Sequence, residues 1–129
     1  MARPRTPLPD VLRVADNEAL VRFVDARELS THSDVADVLQ QAVASLHHAE
    51  VFCPDWRSCA YVLAYRKDFR IFAAAFGNHT VSCRIAESAL PAALADGATR
   101  EDAIGAGWVS FSALDPARVN KWVRLAHDA

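Results

Sequence analysis
The sequence predicts an α+β domain, with helices first, a three-stranded antiparallel meander, a helical crossover, a fourth strand and a closing helix. Three observations carry that prediction. Apolar residues recur at helical spacing on both sides of the middle third. The middle third itself is short aromatic and aliphatic runs separated by turn signals. At Asp115-Pro116 the apolar period then switches from two to that of a helix within a few residues. The expected architecture is a mostly antiparallel four-stranded sheet, a meander plus one strand after a helical crossover, with the helices packed on one face.

Residues 1–9 carry Pro4, Pro7, Pro9, Arg3 and Arg5 without periodicity, so residues 1–15 are expected to be a flexible arm and 16–129 a single domain. Asn17 can cap a first helix running to about residue 28, with Leu20, Phe23 and Val24 on one face. Ser33 or Asp34 opens a second, in which Val35, Val38, Leu39, Ala42, Val43 and Leu46 keep one face apolar through three turns. Its acids Asp34 and Asp37 lie near the start and His47 and His48 near the end, the order that complements a helix dipole.

Strands follow at 60–65, 71–76 and 80–85. Arg66-Lys67-Asp68-Phe69 is short enough for a hairpin connection, and Gly77-Asn78 tolerates the positive φ of a second turn. Val81, Cys83 and Ile85 face inward and Thr80, Ser82 and Arg84 outward. Residues 88–96 read as a short helix closed by Gly97, and Thr99-x-x-Asp102 as a capping box for one more helical turn ending at Gly105 or Gly107. Val109 and Phe111 then alternate with Ser110 and Ser112 in a strand. Asp115 caps the last helix, Pro116 supplies its first turn, and Val119, Trp122, Val123 and Ala126 form its apolar stripe. Both faces of the meander are apolar, so helices on one face would leave a patch on the other, a feature of dimers and binding grooves.

At 129 residues, 52% hydrophobic and 23% charged, the chain is sized for one packed domain. Its apolar runs fall short of a membrane span, and its first residues have prolines where a signal peptide has an apolar core, so the expected location is cytoplasmic. Cys53, Cys59 and Cys83 are an odd set without the spacing of a disulfide framework, so reduced thiols are expected. The net charge of −2 conceals a segregation. Residues 16–55 carry eight acids (Asp16, Glu18, Asp25, Glu28, Asp34, Asp37, Glu50, Asp55) against Arg22 and Arg27. Residues 56–84 carry Arg57, Arg66, Lys67, Arg70 and Arg84 against Asp68. An acidic helical layer over a basic sheet layer accounts for this, as does an anion-binding face.

The layout after residue 35 resembles the superfamily that includes the TfoX amino-terminal domain and the MmcQ/YjbR proteins, over about residues 38–127. The likeness is carried by Gly107-Trp108-Val109, by Trp122-Val123 with Ala126, and by the strand Val81-Ser82-Cys83-Arg84-Ile85. It implies a helix leading into a β meander, a small helical crossover, a Gly-Trp-Val strand and a closing helix. DNA binding is what the YjbR-like families would suggest by analogy. The chain departs from TfoX domains in its extra amino-terminal segment and in lacking their Met-Phe-Gly stretch near the first strand.

Chemistry-bearing residues are sparse. Of His47, His48, Cys53, Cys59, His79 and Cys83, the Cys53-x5-Cys59 pair does not match zinc-ligand spacing and Cys83 falls at a core-facing strand position, and a Cys53 nucleophile with His47 or His48 and Asp55 would rest on residue types alone. Gly105-Ala106-Gly107 precedes a strand instead of opening a helix, unlike a nucleotide-binding loop. No metal, cofactor or catalytic residue is assigned, and the chain is not expected to be an enzyme. The first expectation is a protein-interaction or homodimerisation module anchored by Trp56, Tyr61 and Trp108. The alternative is a nucleic-acid-binding protein using Arg66, Lys67, Arg70 and Arg84, against which stands a sequence pI near 6.2.

Overall fold
The computed structural model describes residues 7–55 and 60–129. Among them are six strands, β1 (Ala49–Phe52), β2 (Val62–Arg66), β3 (Ile71–Phe76), β4 (Thr80–Arg84), β5 (Thr99–Arg100) and β6 (Trp108–Ser112). The α-helices are α1 (Glu18–Asp25), α2 (Ser33–Ala44), α3 (Leu90–Ala95) and α4 (Pro116–Asp128). The fold is α+β, with one antiparallel sheet in the order β1-β2-β3-β4-β6-β5.

The four expected strands are present as the centre of this sheet, but the strand number is six. The two additions are edges of four and two residues whose side chains are partly or fully exposed, so they carry little of the apolar alternation that marks a central strand. Thr99-Arg100, expected to begin a capping box, pairs with Ser110 and Val109 instead.

Helices cover both faces of the sheet, not one. On the first face α2 and α4 set Val35, Leu39, Val43, Val119, Trp122 and Val123 against Val62, Phe72, Val81, Val109 and Phe111. Asp115 caps α4 as its sequence requires, its Oδ1 accepting from the Arg118 N–H at 3.2 Å. On the second face Leu8, Leu12, Leu20 and Val24 meet Leu63, Ile71, Ala74, Ile104 and Trp108. Residues 8 and 12 are therefore core, which corrects the expectation of a loose arm for that stretch. The alternation of β2 accounts for both layers, since Val62 and Ala64 face one core and Leu63 the other. A bulge at Ala64/Tyr65 puts Phe72 and Ala73 together on the first face.

Asn17 fastens the second face. It makes no cap bond to α1; its Nδ2 donates to the carbonyls of Leu12 and Phe69, each at 2.8 Å, and its Oδ1 accepts from the Ile71 N–H at 2.9 Å. A 2% exposed amide thus ties the amino-terminal segment to the β2–β3 hairpin with both donors and its acceptor used. Among the described residues, no helix is long and apolar enough to cross a membrane.

Candidate ligand-binding corner
The β2–β3 connection closes with Phe69 N–H donating to the Arg66 carbonyl and Arg66 N–H to the Arg70 carbonyl, both at 2.9 Å. Closing over three residues requires one of them in left-handed backbone, a place glycine or asparagine normally takes. Here it is Phe69, at φ +68°. Its ring is 40% exposed and stacks on Tyr65 with centroids 6.3 Å apart. Nearby, His48 ends the α2–β1 connection, also in left-handed backbone at φ +56°.

Charges are arranged around this turn. Asp68 takes a two-point ion pair from Arg66, Nε to Oδ1 at 3.1 Å and Nη2 to Oδ2 at 2.6 Å, and also accepts the Arg70 N–H. Arg66, with that N–H, holds the Asp68 carboxyl down at about 2. The Tyr65 hydroxyl donates to Glu50 Oε2 at 2.9 Å; burial and then that carboxylate raise its pKa. Arg66 also donates to the carbonyls at the end of α4, reaching Ala129 at 2.6 Å and His127 at 3.4 Å. Lys67 makes no hydrogen bond or ion pair among the described residues, so one cation at the turn is uncommitted. Two adjoining hollows sit here, about 620 Å³ lined by His47, His48, Arg66, Lys67, Asp68 and His127, and about 410 Å³ between Glu50, Tyr65, Lys67 and Phe69.

The four expected phosphate-binding residues are divided by the fold. Arg66 and Lys67 face the corner, whereas Arg70 and Arg84 line a separate cleft of about 600 Å³ with Arg100. The acidic helices do not pair with them by carboxylate. Arg66 finds Asp68 within its own hairpin, and Arg84 Nη1 donates to the main-chain carbonyl of Asp16 at 2.7 Å.

The expected interface residues fare differently. Trp108 is 4% exposed in the second core and is not a surface anchor, because the amino-terminal segment covers the sheet face where an open patch was expected. Tyr61 is half-buried, its ring 6.4 Å from that of Phe52. Trp56 lies outside the described residues, as does Cys59. Cys53 is buried in the first core and donates to the Asp55 carbonyl at 3.4 Å. Cys83 is buried there too, and desolvation pushes its thiol up to about 12, away from nucleophilic use. Among the described residues no three His, Cys, Asp or Glu side chains are grouped to hold a metal ion.

Sequence reasoning passed over Tyr65, Phe69 and His127. A four-residue connection was visible, but which residue would be forced into left-handed backbone was not, because phenylalanine signals no such conformation. The Tyr65–Phe69 stack follows from that geometry and from nothing in the spacing. No family model matches this chain, and neither a curated protein nor a solved structure matches it.

Proposed function
We propose that this chain is a non-catalytic binding domain that takes single-stranded nucleic acid at the β2–β3 corner. The observation that supports this best is Phe69, an exposed aromatic held in left-handed backbone and stacked on Tyr65 beside an uncommitted lysine. A bulky residue in that conformation costs about 1–2 kcal/mol, and backbone strain of this kind concentrates at functional sites. The Tyr65–Phe69 pair offers a platform for a base, and Lys67 with the imidazoles of His47, His48 and His127 offers contacts to the adjoining phosphates. The resemblance to the YjbR-like families points to the same ligand class.

Glu50, Asp68 and the overall acidity make this a weak, salt-sensitive association. With about three phosphate contacts, affinity falls about twentyfold between 50 and 200 mM salt. Anisotropy of labelled oligonucleotides at low salt tests the reading. Single strands are expected to bind better than duplex, with Lys67→Glu and Phe69→Gly each weakening binding. No change in anisotropy up to about 100 μM protein, the weak end of non-specific binding, overturns it.

A second reading, a protein-interaction or self-associating module, is favoured by Leu114. That side chain is 95% exposed, beside a groove of about 490 Å³ lined by Val35, Val38, His79 and Ala113. Sedimentation of the native chain and of Leu114→Asp checks it: a monomer unchanged by the substitution at high concentration removes the self-associating form.

A further inference from the structure
The second cleft, between the end of β4 and the loop before β6, gathers guanidinium groups in a way the fold itself does not account for. Arg70, Arg84 and Arg100 line it, with Glu87 and Asp102 as the acids and Gly107 in its wall. Arg100 has a partner, lying 3.5 Å from Asp102. Neither Arg70 nor Arg84 has an Asp or Glu side chain bonded to it among the described residues. Arg84 gives Nη1 to the Asp16 carbonyl, and Arg70 gives Nη1 to the main-chain oxygen of Ala129, the last residue, at a long 3.4 Å. Among the described residues that leaves most of their ten N–H donors without a protein acceptor.

Two further observations mark this pair as unusual. Arg70 Nε is the one buried side-chain polar atom without a hydrogen-bond partner among the described residues, and buried polar groups are nearly always satisfied. Arg84 has its charge opposed by burial and then by the neighbouring Arg70, with Arg66 adding to that and the Asp16 carboxylate offsetting part of it, so a bound anion would relieve what remains. The wall beside Arg84 is kept thin by Gly107. A Cβ there would lie 3.0 Å from the Ile85 carbonyl oxygen and 3.8 Å from Arg84 Cγ, and φ of +84° bars most other residues.

We propose that this cleft is a binding site for a phosphate monoester, held by the forked donors of Arg70 and Arg84. Planar guanidinium forks match the oxygen geometry of a phosphate and bind it by two parallel hydrogen bonds. A dianion neutralises two cations at once, which a single carboxylate cannot do. Arg100 stands at the same cleft as a third cation, and Glu87 opposes the ligand's charge. The site does not rest on the corner proposed above, since it shares none of Tyr65, Lys67 and Phe69. A phosphate monoester could be a free sugar phosphate or the 5′ end of an oligonucleotide, and the test separates these.

Isothermal titration calorimetry of the full chain with glucose 6-phosphate, glucose, and a dinucleotide with and without a 5′-phosphate reads the site directly. Saturable binding of the phosphorylated member of each pair is expected, with no heat from glucose and weaker binding of the 5′-hydroxyl dinucleotide. Arg70→Lys, which keeps the charge and loses the fork, should weaken binding about tenfold, the loss of one charge-assisted hydrogen bond. Glu87→Gln should tighten it, about threefold for removal of one exposed like charge. That gain cannot arise from a misfolded variant. Binding of the 5′-phosphorylated dinucleotide alone assigns the site to oligonucleotide ends, and binding of both assigns it to phosphate monoesters generally. Binding of glucose 6-phosphate alone assigns it to small phosphate monoesters, and absence of saturable heat from both phosphorylated compounds overturns the proposal. So does binding that Arg70→Lys and Glu87→Gln leave unchanged, or equal binding of the two dinucleotides, an outcome that still leaves the corner reading standing.

Discussion
The two faces of the sheet are built by different means. The first is a pair of regular amphipathic helices on an apolar surface, where Leu39, Val119 and Val123 bury without any help from polar groups. The second is laid down by two three-residue 3₁₀ turns and the eight-residue α1, and its fastening is the Asn17 amide. One face is held by area, which is tolerant of small errors, and the other by a few directional bonds, which are not. The corner and the arginine cleft both touch the second kind of structure. The Phe69 carbonyl accepts from Asn17 Nδ2, and Arg84 donates to the main chain at Asp16. Both candidate sites are thus attached to the face held by a few directional bonds.

Loss on the first face should be the larger and should be global. Trp122 stacks on Phe111 at 5.5 Å, and its indole N–H donates to Asp96 Oδ2 at 2.7 Å. Trp122→Ala is expected to destabilise by about 4 kcal/mol, the usual cost of removing a buried large aromatic. Urea unfolding should remain a single transition moved to lower denaturant, with both faces lost together. A shift confined to α4 would break the picture of one cooperative first core.

Asn17→Ala should cost less, about 3 kcal/mol, and in a different pattern. It leaves the Leu12 and Phe69 carbonyls and the Ile71 N–H without partners, at about 1 kcal/mol each. Amide hydrogen exchange should quicken across residues 8–25 and the hairpin while α2 and α4 keep their protection. Uniform quickening over all elements would instead mean that the two faces open as one unit.

What the sequence makes legible follows the same division. Helix α2 and helix α4 announce themselves because a face packed by area needs a periodic apolar stripe, and Asp115-Pro116 fixes where α4 begins. The second face needs no such stripe. Leu8 and Leu12 look like isolated apolar residues among prolines, and their burial depends on the sheet surface that Leu63 and Ala74 present from 50 residues and more away. Asn17 has the residue type and position of a helix cap, and tertiary partners at Phe69 and Ile71 take its side chain instead. Of the four basic residues singled out, their nearness to one another was readable from the hairpin. Their division between a corner and a cleft depends on where α4 ends and where Asp16 crosses, which no local pattern records.

The smallest expected effect sharpens the comparison through acid titration. The Arg66–Asp68 pair ties the hairpin turn, and Arg66 reaches on to the main-chain oxygen just past α4, so the pair links the corner to the first face. Because Asp68 titrates at about 2 when folded, below its ordinary 3.8, its contribution is complete above the unfolded value and disappears as pH falls through the folded one. The Asp68 side chain is 58% exposed, so solvent screening limits the pair to about 0.5 kcal/mol. Stability measured from pH 5 to pH 1.5 should therefore fall slightly less steeply for Asp68→Asn than for the native chain, the difference closing at the acid end. A slope for Asp68→Asn identical to the native one throughout would show that the turn is held by its backbone alone, with Arg66 free to serve a ligand at the corner.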